Sequence, residues 1–296
     1  MNTSGIPINR DTVITITGAS SGIGAALALE LASKGASLAL CARRADRLAE
    51  IAQRARALGA RVMEVQTDVS DERQATTFIE QILETFGGRL DVLILNAGRG
   101  HCAAVEDTPS QQLHSMFATN VFSLWYLVRP ALPVMKAQRR GHIIAISSIV
   151  GKIAYPYNAA YVAAKHAVVG FIAALRTELV ETGVEATVVC PSGVDTEWAS
   201  VTEGAPIGEL FAQGISRSRT IAEQRGIPRA PLQRMKTAEE IARQIMAVIE
   251  SPPGHDVLTH EGSDELVAIA IRSRREYEQA MLPLLLGMRQ AYEERF

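Results

Sequence analysis

Residues 12–35 read TVITITGASSGIGAALALELASKG. The β-branched run 12–17 is a candidate strand, and it passes without a break into a glycine- and serine-rich turn. An apolar stretch of helical length, 22–34, follows, and Gly35 stands where a left-handed residue would stop that helix. A strand, a flexible turn and a helix N-terminus together make an anion site. Glycines let backbone approach a phosphate, while free N–H groups and the helix dipole favour negative charge. Gly18, Ser20, Ser21, Gly22, Ile23 and Gly24 are therefore candidate pyrophosphate-binding residues. Their spacing is G-x-x-x-G-x-G rather than the commoner G-x-G-x-x-G.

Outward from this turn the pattern repeats. Candidate strands at 36–42, 61–66, 90–95, 141–147, 184–190 and 256–260 alternate with candidate helices at 45–58, 71–86, 109–137, 156–182 and 237–250. Continuous rather than alternating apolar strands imply a parallel sheet covered by helices on both faces. The expectation is a doubly wound α/β three-layer sandwich around a mostly parallel, seven-stranded sheet, in one domain over 1–296. Asp71 and Thr237 can cap the helices that follow them, and Gly183 can stop the helix before it. Segment 197–235 has mixed polarity, several Gly and Pro and no clean period, and reads as a substrate-covering insertion. In the tail, 262–296, Pro283 is expected to break or kink an amphipathic helix.

The chain has 296 residues, is 47% hydrophobic and carries a net charge of −2, so it can bury a sizeable core and offers no basic surface for nucleic acid. Cys41, Cys102 and Cys190 are scattered, which argues against a disulfide framework or a structural zinc and fits a reducing compartment. No run of apolar residues reaches the roughly 18 needed to span a bilayer. Residues 1–10 lack the layout of a secretory signal. The expected location is the cytoplasm.

Tyr161 and Lys165 are four apart in AAYVAAKHAVVGF, which places both on one helix face. A phenol with a reference pKa near 10 is a poor proton shuttle at neutral pH, and an ammonium within about 4–6 Å lowers it. So tuned, Tyr161 would give a proton to a carbonyl oxygen as hydride arrives at carbon, or take it in reverse. Alone, a Tyr on an apolar helix is more often a core residue; concurrence with other features gives this one chemistry.

TGASSGIG at 17–24 resembles the cofactor turn of the short-chain dehydrogenases/reductases, and the resemblance extends over roughly 10–260. It implies a Rossmann-type fold and a nicotinamide dinucleotide. Ala42 stands where an NAD-type member would carry Asp, while Arg43 and Arg44 offer cations for a 2′-phosphate, so NADP(H) is expected over NAD(H). By the same resemblance Asp68 and Val69 lie against the adenine, and Asn96, Ala97 and Gly98 form the turn beside the cofactor. Ser148 orients the substrate oxygen, with Ser147 the poorer match by spacing. Lys165 also holds the nicotinamide ribose, and Asn120 supports a water-linked proton path. Pro191, Gly193, Val194 and Thr196 belong to the loop that meets the carboxamide, in which Ser192 replaces a usual Gly.

The implied function is interconversion of a small-molecule carbonyl and an alcohol. Residues after Gly98, residues 149–157 and the 197–235 insertion would line the pocket, with Ile153, Tyr155 and Tyr157 as an apolar wall and Arg99 and His101 as candidate polar contacts. A homodimer or homotetramer is implied. Ser148 lacks a G-x-S-x-G frame, which argues against a hydrolase, and His142 and His166 read as packing residues. Two other readings stay open: a regulatory protein that binds NADP without turnover, and an epimerase that uses hydride transfer internally.

Overall fold

The computed structural model describes residues 5–231 and 233–295. Parts of the N-terminal stretch, the insertion and the tail (1–4, 232 and 296) lie outside the described residues. Along the chain come β1 (Val13–Thr17), α1 (Gly22–Ser33), β2 (Ser37–Ala42), α2 (Ala45–Ala57), β3 (Val62–Gln66), α3 (Glu72–Thr85) and β4 (Val92–Leu95). A two-residue bridge β5 (His101–Cys102), α4 (Ser110–Phe117), α5 (Ser123–Gln138), β6 (Gly141–Ile146), α6 (Ala159–Glu178) and β7 (Val184–Cys190) follow. The remainder holds β8 (Val194–Asp195), β9 (Glu203–Gly204), α7 (Ile207–Arg225), β10 (Lys236–Thr237), α8 (Ala238–Glu250), β11 (Val257–Leu258), α9 (Ser263–Arg272) and α10 (Arg274–Glu293).

Seven strands form one sheet in the order β11-β7-β6-β4-β1-β2-β3, with every pairing parallel. The order reverses between β1 and β4, and a crevice at the carboxyl ends of such strands is where this architecture binds ligands. β1, β2, β4 and β6 are wholly buried, whereas β3 at the edge is only partly so. One sheet face packs on α1, α2 and α8. The other packs on α3, α5 and α6. A third apolar cluster joins α7, α9 and α10 to the segment around Tyr161. Asp71 caps α3 through the Gln74 amide, and Thr237 forms a capping box with Glu240, as their positions foretold.

Several expectations need correction. The run 109–137 is two α-helices joined by a π-helical turn, Ala118–Phe122, and Pro130 and Pro133 sit inside the second. The helix expected over 156–182 begins at Ala159 and ends at Glu178. Segment 197–235 contains a 19-residue helix, α7. Its buried stripe includes Gly214 and Ser218, small residues that let α10 approach closely, so the stripe lacked the bulk that marks a helical period. Pro283 does not interrupt α10 but lies buried within it. The lost bond to the Gln279 carbonyl is offset there by burial of Met281, Leu284 and Met288 in the third cluster. Finally, α6 is by length and composition alone apolar enough to cross a membrane. An unbroken apolar run misses this because Lys165, His166 and Arg176 interrupt it, and one face of α6 packs into the core.

Candidate active site

The first turn is built for close backbone approach. Gly18 and Gly22 have φ of +68° and +55°. A Cβ on Gly18 would lie 2.9 Å from Ala97 Cα, and one on Gly24 would lie 2.5 Å from the Gly18 carbonyl oxygen and 2.6 Å from Asn96 Nδ2. Asn96 fastens the two sides of the crevice: its Nδ2 donates to the Thr17 carbonyl (2.9 Å), and its amide donates to Thr17 Oγ1 (3.0 Å). Ser21 is the N-cap of α1 but makes no capping bond through its side chain, so the first amides of the helix keep their capacity for an anion. Ser21 instead accepts from Arg44 (2.6 Å), which also reaches Ser20 (3.4 Å). The turn therefore fits a dinucleotide pyrophosphate.

At the end of β2, Ala42 is buried and the Arg43 side chain is exposed. Asp68 accepts from the amide and hydroxyl of Ser70, a local turn, and Val69 packs in the second core cluster. Beyond β4, Gly98 separates two functional side chains: a Cβ there would stand 2.8 Å from Asn120 Oδ1 and 3.4 Å from Lys165 Nζ. Asn120, in the π-turn, donates to the carbonyls of Met116 (3.0 Å) and Arg99 (3.1 Å) and accepts from the Arg99 amide (3.3 Å). The extra residue of a π-turn aims this amide at the loop after β4.

Ser148, two residues past β6, is the N-cap of a short 3₁₀ turn, Ile149–Gly151, and its Oγ donates to the Pro191 carbonyl (3.3 Å). The Ser148 hydroxyl also lies close enough to the Tyr161 phenol to act on its titration, while Lys165 Nζ lies 5.7 Å from the Tyr161 ring centre and donates to the Ile146 carbonyl (2.9 Å). Ser147 turns away, donating to the Lys165 carbonyl (2.9 Å). Burial pushes the Tyr161 phenol above its ordinary range; the Ser148 hydroxyl opposes this, and Cys190 adds to it. The phenol-lowering effect expected of Lys165 is absent because burial also acts on the ammonium, pulling it down to about 8.

The loop after β7 crosses the site. Thr196 lies over Gly22, and Glu197 accepts from Arg44 and Arg47. The Trp198 ring packs on Tyr161, with centroids 5.2 Å apart, leaving Tyr161 only 8% exposed. His260 holds the same loop, receiving the Ser192 amide and bonding the Gly193 carbonyl. Arg99 and His101 are engaged within the chain: Arg99 pairs with Ser115 and Glu203, and buried His101 bonds Gln112. His142 is buried against Thr187, where burial pulls it down to about 3. His166 lies exposed on α6. Trp198, Glu197 and His260 were not singled out from the sequence; the position of 197–235 after β7 pointed toward the first two, and nothing local pointed to His260.

The chain belongs to the short-chain dehydrogenase/reductase family, a family of oxidoreductases: the family's "short chain dehydrogenase" profile matches residues 12–204. It is similar to the cattle protein "Dehydrogenase/reductase SDR family member 7B" (Bos taurus), 38% identical over 221 residues, or 70% of this chain and 67% of that one. A solved short chain dehydrogenase/reductase from Burkholderia phymatum in complex with NAD shares 28% identity, with a TM-score of 0.76 over 91% of this chain and 96% of that one. An alcohol dehydrogenase from the archaeon Thermococcus sibiricus, complexed with 5-hydroxy-NADP, shares 26% identity. Its TM-score is 0.69 over 84% of this chain and 96% of that one.

Proposed function

We propose that the chain is an NADP(H)-dependent oxidoreductase that interconverts a carbonyl and a secondary alcohol, with Tyr161 as its general acid and base. The observation that carries this reading is the convergence of Ser148 on the Tyr161 phenol, with Asn120 and Lys165 meeting at Gly98. The nicotinamide, when bound, supplies or accepts the hydride. Ser148 Oγ orients the substrate oxygen, and Tyr161 Oη gives it a proton in the reductive direction. A phenol kept protonated by burial suits that donor role. Lys165 holds the nicotinamide ribose, its ammonium standing 5.7 Å from the centre of the Tyr161 ring. Asn120 anchors the loop beside both.

Solved relatives carry NAD in one case and an NADP derivative in another, so the cofactor choice rests on this chain's own β2 end. There a carboxylate is replaced by Ala42, and Arg43 and Arg44 follow. The proposed compartment is the cytoplasm, in keeping with three separate buried cysteines. The proposed assembly is a homo-oligomer through α5 and α6, where Phe122 and Trp125 are 44% and 48% exposed and Trp125 stacks edge-on to Phe171. Light scattering that returned a monomer would refute it.

A panel of carbonyls and alcohols, followed by absorbance of the reduced nicotinamide, tests the chemistry. Tyr161→Phe should lower turnover by about 10²–10⁴ while NADPH still binds; undiminished activity would end the acid/base assignment. Arg43→Ala should weaken NADPH by about 1.5–3 kcal/mol and leave NADH nearly unchanged. Unchanged relative affinities would remove the case for NADP. The Trp198 ring over Tyr161 favours a second reading, nucleotide binding without turnover. Wild-type protein that binds NADPH yet reduces nothing in the panel would support it.

A further inference from the structure

The family match ends at residue 204, yet the apolar cluster that contains Tyr161 draws much of its substance from α10. That helix is fastened to the segment ahead of Tyr161 at both of its ends. Near its start, the Tyr277 hydroxyl donates to the Ala154 carbonyl (2.6 Å), and Tyr277 is buried. Near its end, the Tyr292 ring lies flat on Tyr157, with centroids 3.9 Å apart and planes 8° apart. The Tyr292 hydroxyl also accepts from the Ala104 amide (3.0 Å). One residue earlier, the Ala103 amide donates to the Tyr157 carbonyl (2.9 Å). Tyr157 itself has φ +60°, a left-handed conformation that a bulky side chain keeps only when its surroundings impose it. Tyr292 thus joins the chain after β5 to the loop before α6.

We propose that Tyr292 is a positioning residue of the active site: stacked on Tyr157, it holds the 154–158 loop so that a flat apolar wall faces the substrate near Tyr161. The inference rests on the reading of Tyr161 as proton donor. It makes α10 the support behind that wall, supplied by the same chain, and it implies selectivity for planar, apolar carbonyl compounds over small polar ones.

Wild type, Tyr292→Phe, Tyr292→Leu and Tyr292→Ala are compared with NADPH and two probes, 9,10-phenanthrenequinone and 2,3-butanedione. Removing the stack in the Leu and Ala variants should raise KM for the tricyclic quinone about tenfold and leave kcat within about twofold. KM for butanedione and the dissociation constant for NADPH should hold. Tyr292→Phe keeps the stack and should stay near wild type. Tyr292→Leu keeps apolar bulk, so it remains informative if Tyr292→Ala does not fold. A KM increase shared equally by both probes, or weaker NADPH binding in step with it, would reduce Tyr292 to a general structural residue and overturn the proposal. Wild type that binds NADPH but reduces neither probe would instead overturn the enzymatic reading, and this inference with it.

Discussion

Replacing Gly98 by Ala tests how the site is assembled. The new Cβ would stand 2.8 Å from Asn120 Oδ1 and 3.4 Å from Lys165 Nζ. A carbon and an oxygen in contact prefer roughly 3.5 Å, so one neighbour must yield by about 0.7 Å. Asn120 is 2% exposed and tied by three hydrogen bonds, and Lys165 is 5% exposed and bonded to the Ile146 carbonyl. Neither can rotate clear, so the strain should appear as an overpacking cost of about 1–3 kcal/mol. For a chain of this size that lowers Tm by roughly 2–10 °C, measurable by calorimetry. Misplacement of catalytic groups by a fraction of an ångström to 1 Å should lower kcat by up to about 10². The assay is steady-state reduction of an active carbonyl with NADPH, run beside the melting curve. A variant with kcat within twofold of wild type and an unchanged Tm would refute the claim that this position needs a hydrogen for its side chain.

Burial draws Lys165 down to about 8, so the ammonium loses its proton as pH rises through that value. Reductive kcat/KM should therefore decline above about pH 8; a pH profile flat from 7 to 9.5 would contradict this. Gly170 lies exposed on α6, where a Cβ would meet nothing within 4 Å. Gly170→Ala should stabilise the protein by up to about 1 kcal/mol in denaturant titration. A loss of stability there would refute the view that this residue faces open space.

The sheet was legible because its strands are short β-branched runs with helices between them, and the parallel order follows from that alternation. The glycine turn was legible because close approach leaves few residue types available, as the contacts a Cβ would meet at Gly18 and Gly24 make plain. The Tyr161–Lys165 spacing gave the catalytic face, whereas Asn120 was reached only through the family resemblance. A π-turn has no residue signature of its own. Helix α7 escaped notice because its packing face uses Gly214 and Ser218 against Gly287 of α10 rather than large apolar groups. Trp198 escaped because its role depends on a loop folding back over Tyr161, a long-range contact that no local pattern records.

The π-turn at Ala118–Phe122 also makes chain length, and not only composition, a condition of the site. It holds one more residue per revolution than an ordinary helix, and each residue of a helix turns the axis by about 100°. Deleting a single amino acid between Ser110 and Gln138 would let the hydrogen-bond ladder close as a regular helix. Either the Asn120 amide would then swing off the loop at Arg99, or the buried face of α5 would rotate out of the core. Relatives that keep this site should therefore differ in sequence here far more freely than in the number of residues.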